Sequence, residues 1–196
     1  MKTFLLLLCA IFTLKVGYGQ DSLKNHEFIS KEFNWKIVIP DNFTAVSLED
    51  WAKFQNKGAK AIEDTYGQKI ENKTKTIFVF KSDGANYFEA NCQPYDVKKD
   101  GSFLKSCKGI NDVLYTTFKK QIPGAKIDSA SLITKINNLR FNTFILRIEM
   151  SENVIFNVYS FSRLFLNKEL CVNIMYLNNN KGDEILDAWK NSTFSE

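Results

Sequence analysis

Histidine is nearly missing from this chain. His26 is the only one among 196 residues, and that scarcity removes whole classes of chemistry. Ser-His-Asp catalysis and histidine-ligated zinc hydrolysis need histidines set among other reactive groups, whereas His26 stands in a polar stretch near the amino terminus. No Gly-x-Ser-x-Gly, His-Glu-x-x-His, Cys-x-x-Cys or glycine-rich phosphate loop occurs, so nothing marks a catalytic, metal or cofactor site, and none is expected. With three prolines, nine glycines and no low-complexity tract or repeat, there is no linker to divide the chain, and one domain is expected. Dense basic charge is lacking as well. The formal charge is +4, and Lys98-Lys99 and Lys119-Lys120 are isolated pairs, which argues against nucleic acid as a partner. Phenylalanine is abundant instead, at 17 residues, enough to build a sizeable core.

Only one long apolar run exists, Phe4 to Leu14, preceded by Lys2 and interrupted by Lys15. It is too short to span a bilayer, which takes about 20 residues. Gly17 and Gly19 supply the small residues of a cleavage site before Gln20, so residues 1–19 read as a signal peptide and the mature product as secreted or periplasmic, without a transmembrane segment. Cys9 does not make a lipobox, because Leu8 stands where a small residue is needed. Removing Lys2 and Lys15 lowers the formal charge from +4 to +2, too near neutral to favour an anionic membrane. In an oxidising compartment the remaining Cys92, Cys107 and Cys171 are an odd set. Cys92 and Cys107 flank a polar stretch with Pro94, Asp100 and Gly101, and a disulfide between them would close a loop with a chain-entropy value of about 3 kcal/mol. Cys171 reads as a buried strand thiol.

Residues 20–32 are polar and predict a flexible mature N-terminus ahead of a single α+β domain over 33–196. Phe33, Trp35, Ile37 and Ile39 alternate with polar or smaller residues up to Pro40, a strand with one apolar face. Ser47 with Asp50 caps a helix carrying Trp51, Gln55, Ala59 and Ile62 on one side and ending at Gly67. A hairpin is expected from Ile77–Phe80 and Tyr87–Asn91 around Ser82-Asp83-Gly84. Ile110, Val113, Leu114, Thr117 and Phe118 form the cleanest amphipathic helix, stopped by Pro123-Gly124. The chain is organised around an antiparallel meander with strands at Ser131–Ile136, Leu139–Met150, Val154–Leu166 and Glu169–Leu177. Its breaks each contain asparagine, which suits tight hairpin turns. A final helix begins near Gly182-Asp183 and buries Ile185, Leu186 and Trp189. Helices standing apart from an antiparallel sheet predict a layered α+β sandwich.

If Met150 lies opposite Val154, side-chain alternation puts Arg147, Glu149, Asn157, Tyr159 and Arg163 on one face of the meander. Two guanidiniums and a phenol could there hold an anion or carboxylate ligand. The plainer reading is an Arg147–Glu149 ion pair at the wet end of a half-covered sheet. Asn42, Asn72 and Asn191 begin glycosylation sequons, relevant only in a eukaryotic source.

The opening stretch Phe33-Asn34-Trp35-Lys36-Ile37-Val38-Ile39-Pro40-Asp41-Asn42-Phe43, the late long hairpins and the closing Ser192-Thr193-Phe194 together resemble the exported PsbP/DcrB-like group. The resemblance covers about residues 33–194. It implies an α/β/α sandwich with helices on both faces of an antiparallel sheet, and a non-enzymatic accessory or binding role, with no shared active site to transfer. The expected function is an exported binding or accessory module whose partner is a protein or small molecule. The alternatives are a carrier of a small apolar or anionic ligand, and a histidine-independent enzyme.

Overall fold

The computed structural model describes residues 26–152 and 154–195. The expected signal peptide, the cleavage point after Gly19 and residues 20–25 of the expected flexible segment lie outside the described residues.

Asn137 and Asn138 adopt positive φ, 45° and 65°, the backbone of a tight mirror-image turn that asparagine tolerates. They join β6 (Lys126–Ile136) to β7 (Leu139–Ser151) in antiparallel register from Ile136↔Leu139 to Lys126↔Glu149. β8 (Val154–Phe165) and β9 (Lys168–Tyr176) complete the meander. The last turn falls one residue earlier than the expected Asn167-Lys168. Phe165 pairs with Lys168, and Leu166 stands in the turn at φ 53° and 98% exposed. A leucine there carries the left-handed penalty without burying anything. Leu166→Asn is therefore expected to raise stability by about 0.5–1 kcal/mol, read as a higher urea midpoint at unchanged slope.

β4 (Lys75–Ser82) and β5 (Asn86–Pro94) form the earlier hairpin, with β3 (Thr44–Ala45) at its edge. The chain then crosses the sheet through α2 (Val97–Asp100) and α3 (Phe103–Gln121) to start β6 on the far side. From there the meander walks back until β9 pairs with β5, which gives the order β3-β4-β5-β9-β8-β7-β6. α3 begins well before the amphipathic stretch predicted at Ile110, and so absorbs much of the segment read as a loop. Cys107 lies inside it.

This overturns the predicted disulfide. Cys92, Cys107 and Cys171 are all free and buried. Cys92 faces the large aromatic core on one side of the sheet, while Cys107 on α3 faces a cavity on the other, so the sheet itself separates the two sulfurs. Burial pushes the thiols up, to about 11 for Cys92 and about 12 for Cys107 and Cys171. They stay in the inert protonated form even where disulfides are favoured.

α1 (Leu48–Tyr66) starts and stops where the sequence predicts. The Ser47 hydroxyl oxygen accepts from the Asp50 backbone N–H at 3.1 Å, and Gly67 closes the helix at φ 68°. α1 has no basic residue in its last turn. Lys120 of α3 donates instead to the Asp64 and Thr65 carbonyls, at 2.8 and 3.2 Å, which clamps the two helices together on one face of the sheet.

The opposite face holds the main core. β1 (Glu27–Ser30), β2 (Trp35–Val38) and β10 (Thr193–Phe194) form a separate sheet of order β1-β2-β10. β1 corrects the expectation of a flexible segment through residue 32: Phe28 faces Ile37 in the register and packs edge-on against Phe78 at 4.8 Å. α4 (Asn179–Lys190) closes the layer, with Ile185, Leu186 and Trp189 buried as predicted. A Cβ at Gly182 would come within 2.5 Å of the Tyr176 ring, so only glycine lets α4 lie this close to β9. Helices therefore cover both faces of an antiparallel sheet, the α+β architecture the sequence predicts. Among the described residues no helix is long and apolar enough to cross a membrane.

Candidate functional site

Strand alternation divides the central sheet into two chemistries. On β5, Phe88, Ala90 and Cys92 enter the aromatic core, so Glu89, Asn91 and Gln93 point the other way. On β9, Leu170, Val172, Ile174 and Tyr176 enter the same core, and Glu169, Cys171, Asn173 and Met175 point away. The register places Glu89 opposite Asn173, Asn91 opposite Cys171 and Gln93 opposite Glu169. On β8, Ser160 and Ser162 lie beside Asn173 and Cys171. The result is a continuous polar strip across the middle of a sheet, covered by α1 and α3.

A cavity of about 780 Å3 lies over this strip, within the size range of small-molecule sites. Its floor includes Glu89, Ser160, Ser162, Glu169, Cys171 and Asn173 and turns apolar at Phe144, Phe156, Val158 and Met175. Its roof is the predicted amphipathic stripe Ile110, Val113, Leu114 and Phe118, with Ile62 of α1. In α3 only Cys107 and Thr117 are buried; the apolar stripe is half-buried, with Leu114 and Phe118 packed in part on the sheet cluster of Phe144, Leu146, Ile148 and Val158 and the rest of the stripe turned to the cavity. Thr117, 7% exposed, has a hydroxyl with no hydrogen-bond partner among the described residues.

Two glutamates are buried in the floor, Glu89 at 5% and Glu169 at 2% exposure. Glu89 accepts from the Trp51 indole at 3.0 Å, the Gln55 amide at 3.4 Å and the Asn173 amide at 2.8 Å. Glu169 accepts from the Gln93 amide at 2.6 Å. Burial pushes both carboxyls above the ordinary range, and the amide, hydroxyl and indole donors pull back only in part. Among the described residues, no cation acts on either carboxyl.

The residues singled out from sequence do not line this cavity. Arg147 and Asn157 are direct cross-strand partners, as the shared face requires, but that face is the other side of the sheet. The Arg147 guanidinium sits 3.1 Å from the Glu149 carboxylate and 3.8 Å from Asp128. Tyr159 stacks on Phe161 and Tyr176. Arg163, six residues beyond Asn157 on the same strand, donates to the Arg140 carbonyl at 2.8 Å and lies over the Phe165 ring. Arg147, Tyr159 and Arg163 thus have separate neighbours instead of converging on one anion pocket, and the ion-pair reading of Arg147 and Glu149 holds. His26 lies 3.8 Å from Asp41 at the protein surface, away from the cavity.

Scanning the sequence against protein-family models gives no match, and no curated protein matches it. Among solved structures, the fold is similar to the solution structure of cyanobacterial PsbP (CyanoP) from Synechocystis sp. PCC 6803. The TM-score is 0.52 at 8% identity, over 94% of this chain and 99% of that one. Identity this low speaks for the fold alone. The architecture of this chain is that of the PsbP-like sandwich.

Proposed function

We propose that the chain is an exported binding protein whose ligand is a small, mostly apolar molecule held between α1, α3 and the sheet. Export rests on the leader in residues 1–19. The ligand site rests on one observation: a cavity of about 780 Å3 whose roof is the half-buried apolar stripe of α3. An amphipathic helix ordinarily gains its stability by burying that stripe. Here a ligand would complete the burial, each CH2 contributing about 0.8 kcal/mol. The protonated thiols of Cys107 and Cys171 supply no nucleophile, which favours binding over turnover. The raised carboxyls Glu89 and Glu169 would suit a general acid, and this observation keeps a histidine-independent enzyme as the second reading.

Titration with decan-1-ol tests the proposal, since Trp51 lines the cavity and its emission reports occupancy. We expect saturation at one molecule per chain with a Kd on the order of ten micromolar, about 0.6 kcal/mol per non-hydrogen atom. Val158→Phe, which fills the apolar end of the floor, should weaken binding roughly tenfold. An alcohol that neither saturates nor responds to this substitution would refute the site, and a ligand recovered chemically altered would favour the enzyme.

A further inference from the structure

Resting on the cavity reading, we infer that the ligand class is an amphiphile with a protonated amine as its head group, seated on the floor at Glu89 and Glu169. A carboxylate taken out of water without a countercharge is costly, and proteins usually meet that cost with a lysine or arginine. Among the described residues neither glutamate has one. The groups acting on Glu89 are Asn173, Trp51, Asn91 and Gln55, and those acting on Glu169 are Gln93 and Ser162. These donors hold each carboxyl in place but bring no positive charge, so burial favours its protonated form, and an ammonium ligand would pair with the carboxylate as that proton is released to solvent. A ligand ammonium would bring the missing positive charge and three N–H donors.

The surroundings favour a cation over an anion or a neutral head. The charged side chains elsewhere in the lining are Lys57, Asp100 and Lys105. Lys57 and Lys105 are exposed to solvent, so among the described residues no buried cation lines the cavity to hold a carboxylate ligand. Arg147 and Arg163 lie on the opposite face of the sheet, as described above, and Arg140, on the same face as Asn142 and Phe144, is exposed to solvent and outside the lining. Ser160, Ser162 and the unpartnered Thr117 hydroxyl add neutral acceptors inside the cavity. Beside Glu89, Trp51 and Phe54 stack at 5.0 Å and both line the cavity, presenting π-faces that also attract cations. The apolar roof takes the hydrocarbon body. A fatty acid of the same length would meet two carboxyls and no countercharge, so the same walls select against it.

Calorimetric titration of the purified chain at neutral pH with decylamine, decan-1-ol and decanoate, each below its micellar concentration, separates the possibilities. Decylamine should bind at least about tenfold more tightly than decan-1-ol, and decanoate more weakly than the alcohol. In Glu89→Gln/Glu169→Gln the amine preference should collapse to within about threefold of the alcohol measured on the same variant. An unchanged circular-dichroism spectrum and a cooperative thermal transition show that this variant is folded. Equal or tighter binding of decan-1-ol or decanoate by the wild-type chain overturns the amine assignment and leaves the cavity reading standing. An amine preference that survives the double substitution overturns the role of the two glutamates. Binding of none of the three probes takes down the cavity reading itself.

Discussion

Trp189→Ala is expected to cost about 3–5 kcal/mol, the upper range for truncating a single core side chain. That is a large share of the roughly 5–15 kcal/mol that holds a typical domain together. The expectation comes from where the indole sits. Trp189 is fully buried, and its ring lies 5.6 Å from Trp35, 5.2 Å from Phe141, 5.5 Å from Phe161 and 6.2 Å from Phe194. Those four rings belong to β2, β7, β8 and β10, so one side chain on α4 joins both sheets. Removing it leaves a hole between layers that rigid strands cannot collapse to fill. Trp189→Phe should cost much less. It keeps an aromatic in the same place and deletes an indole N–H that has no partner among the described residues. Guanidinium unfolding of both variants measures the difference, and equal losses for the two would show that ring contact is not what counts at this position.

The second large effect is a dependence on pH that runs against the usual acid denaturation. Burial raises the carboxyls of Glu89 and Glu169. The folded chain therefore holds their protons more tightly than the unfolded chain does. Their contribution to stability is complete below the ordinary glutamate value of about 4.3. It declines as pH rises towards the raised folded-state values. The titratable groups that share the cavity are Lys57 of α1, Asp100 and Lys105 near the start of α3, and the thiols Cys107 and Cys171. The thiols stay neutral across this window, being pushed up to about 12. Asp50, held low chiefly by the Ser47 hydroxyl, pulls the other way but is fully exposed and counts for little. Thermal midpoints should therefore fall as pH rises above the ordinary glutamate value of about 4.3. Glu89→Gln/Glu169→Gln should flatten the profile and stabilise the chain at the alkaline end. A flat wild-type profile would show that the carboxyls titrate normally, and decylamine should offset the loss in the wild type alone.

Much of the fold could be read from the sequence because it rests on local rules. Asn137-Asn138 announced a hairpin, Ser47 and Gly67 bounded α1, and Ile185, Leu186 and Trp189 showed which side of α4 is buried. The site was harder, for a physical reason. Glu89, Asn91 and Gln93 alternate with apolar residues, as do Ser160 and Ser162, and Glu169 and Asn173. A period-two polar row is the ordinary mark of a strand face open to water. What converts it to a cavity floor is the crossing of α3 over the sheet, a long-range path that no window of sequence contains. The signal that could have found it is the coincidence of acids and amides in two polar rows, on strands whose other face is apolar along its middle (Phe88, Ala90 and Cys92; Leu170, Val172 and Ile174). The Cys92–Cys107 pairing failed for a related reason: spacing cannot say that two sulfurs end on opposite sides of a sheet.

The seam between β5 and β9 also orders events in time. Glu89 and its partner Asn173 are 84 positions apart, and Gln93 and Glu169 are 76 apart, so these contacts form only after a long loop has closed. A chain still emerging, with its last hairpin not yet released, possesses half a floor and nothing that could grip a guest. On the proposed binding function, loading would therefore follow the docking of β9 on β5 rather than accompany synthesis.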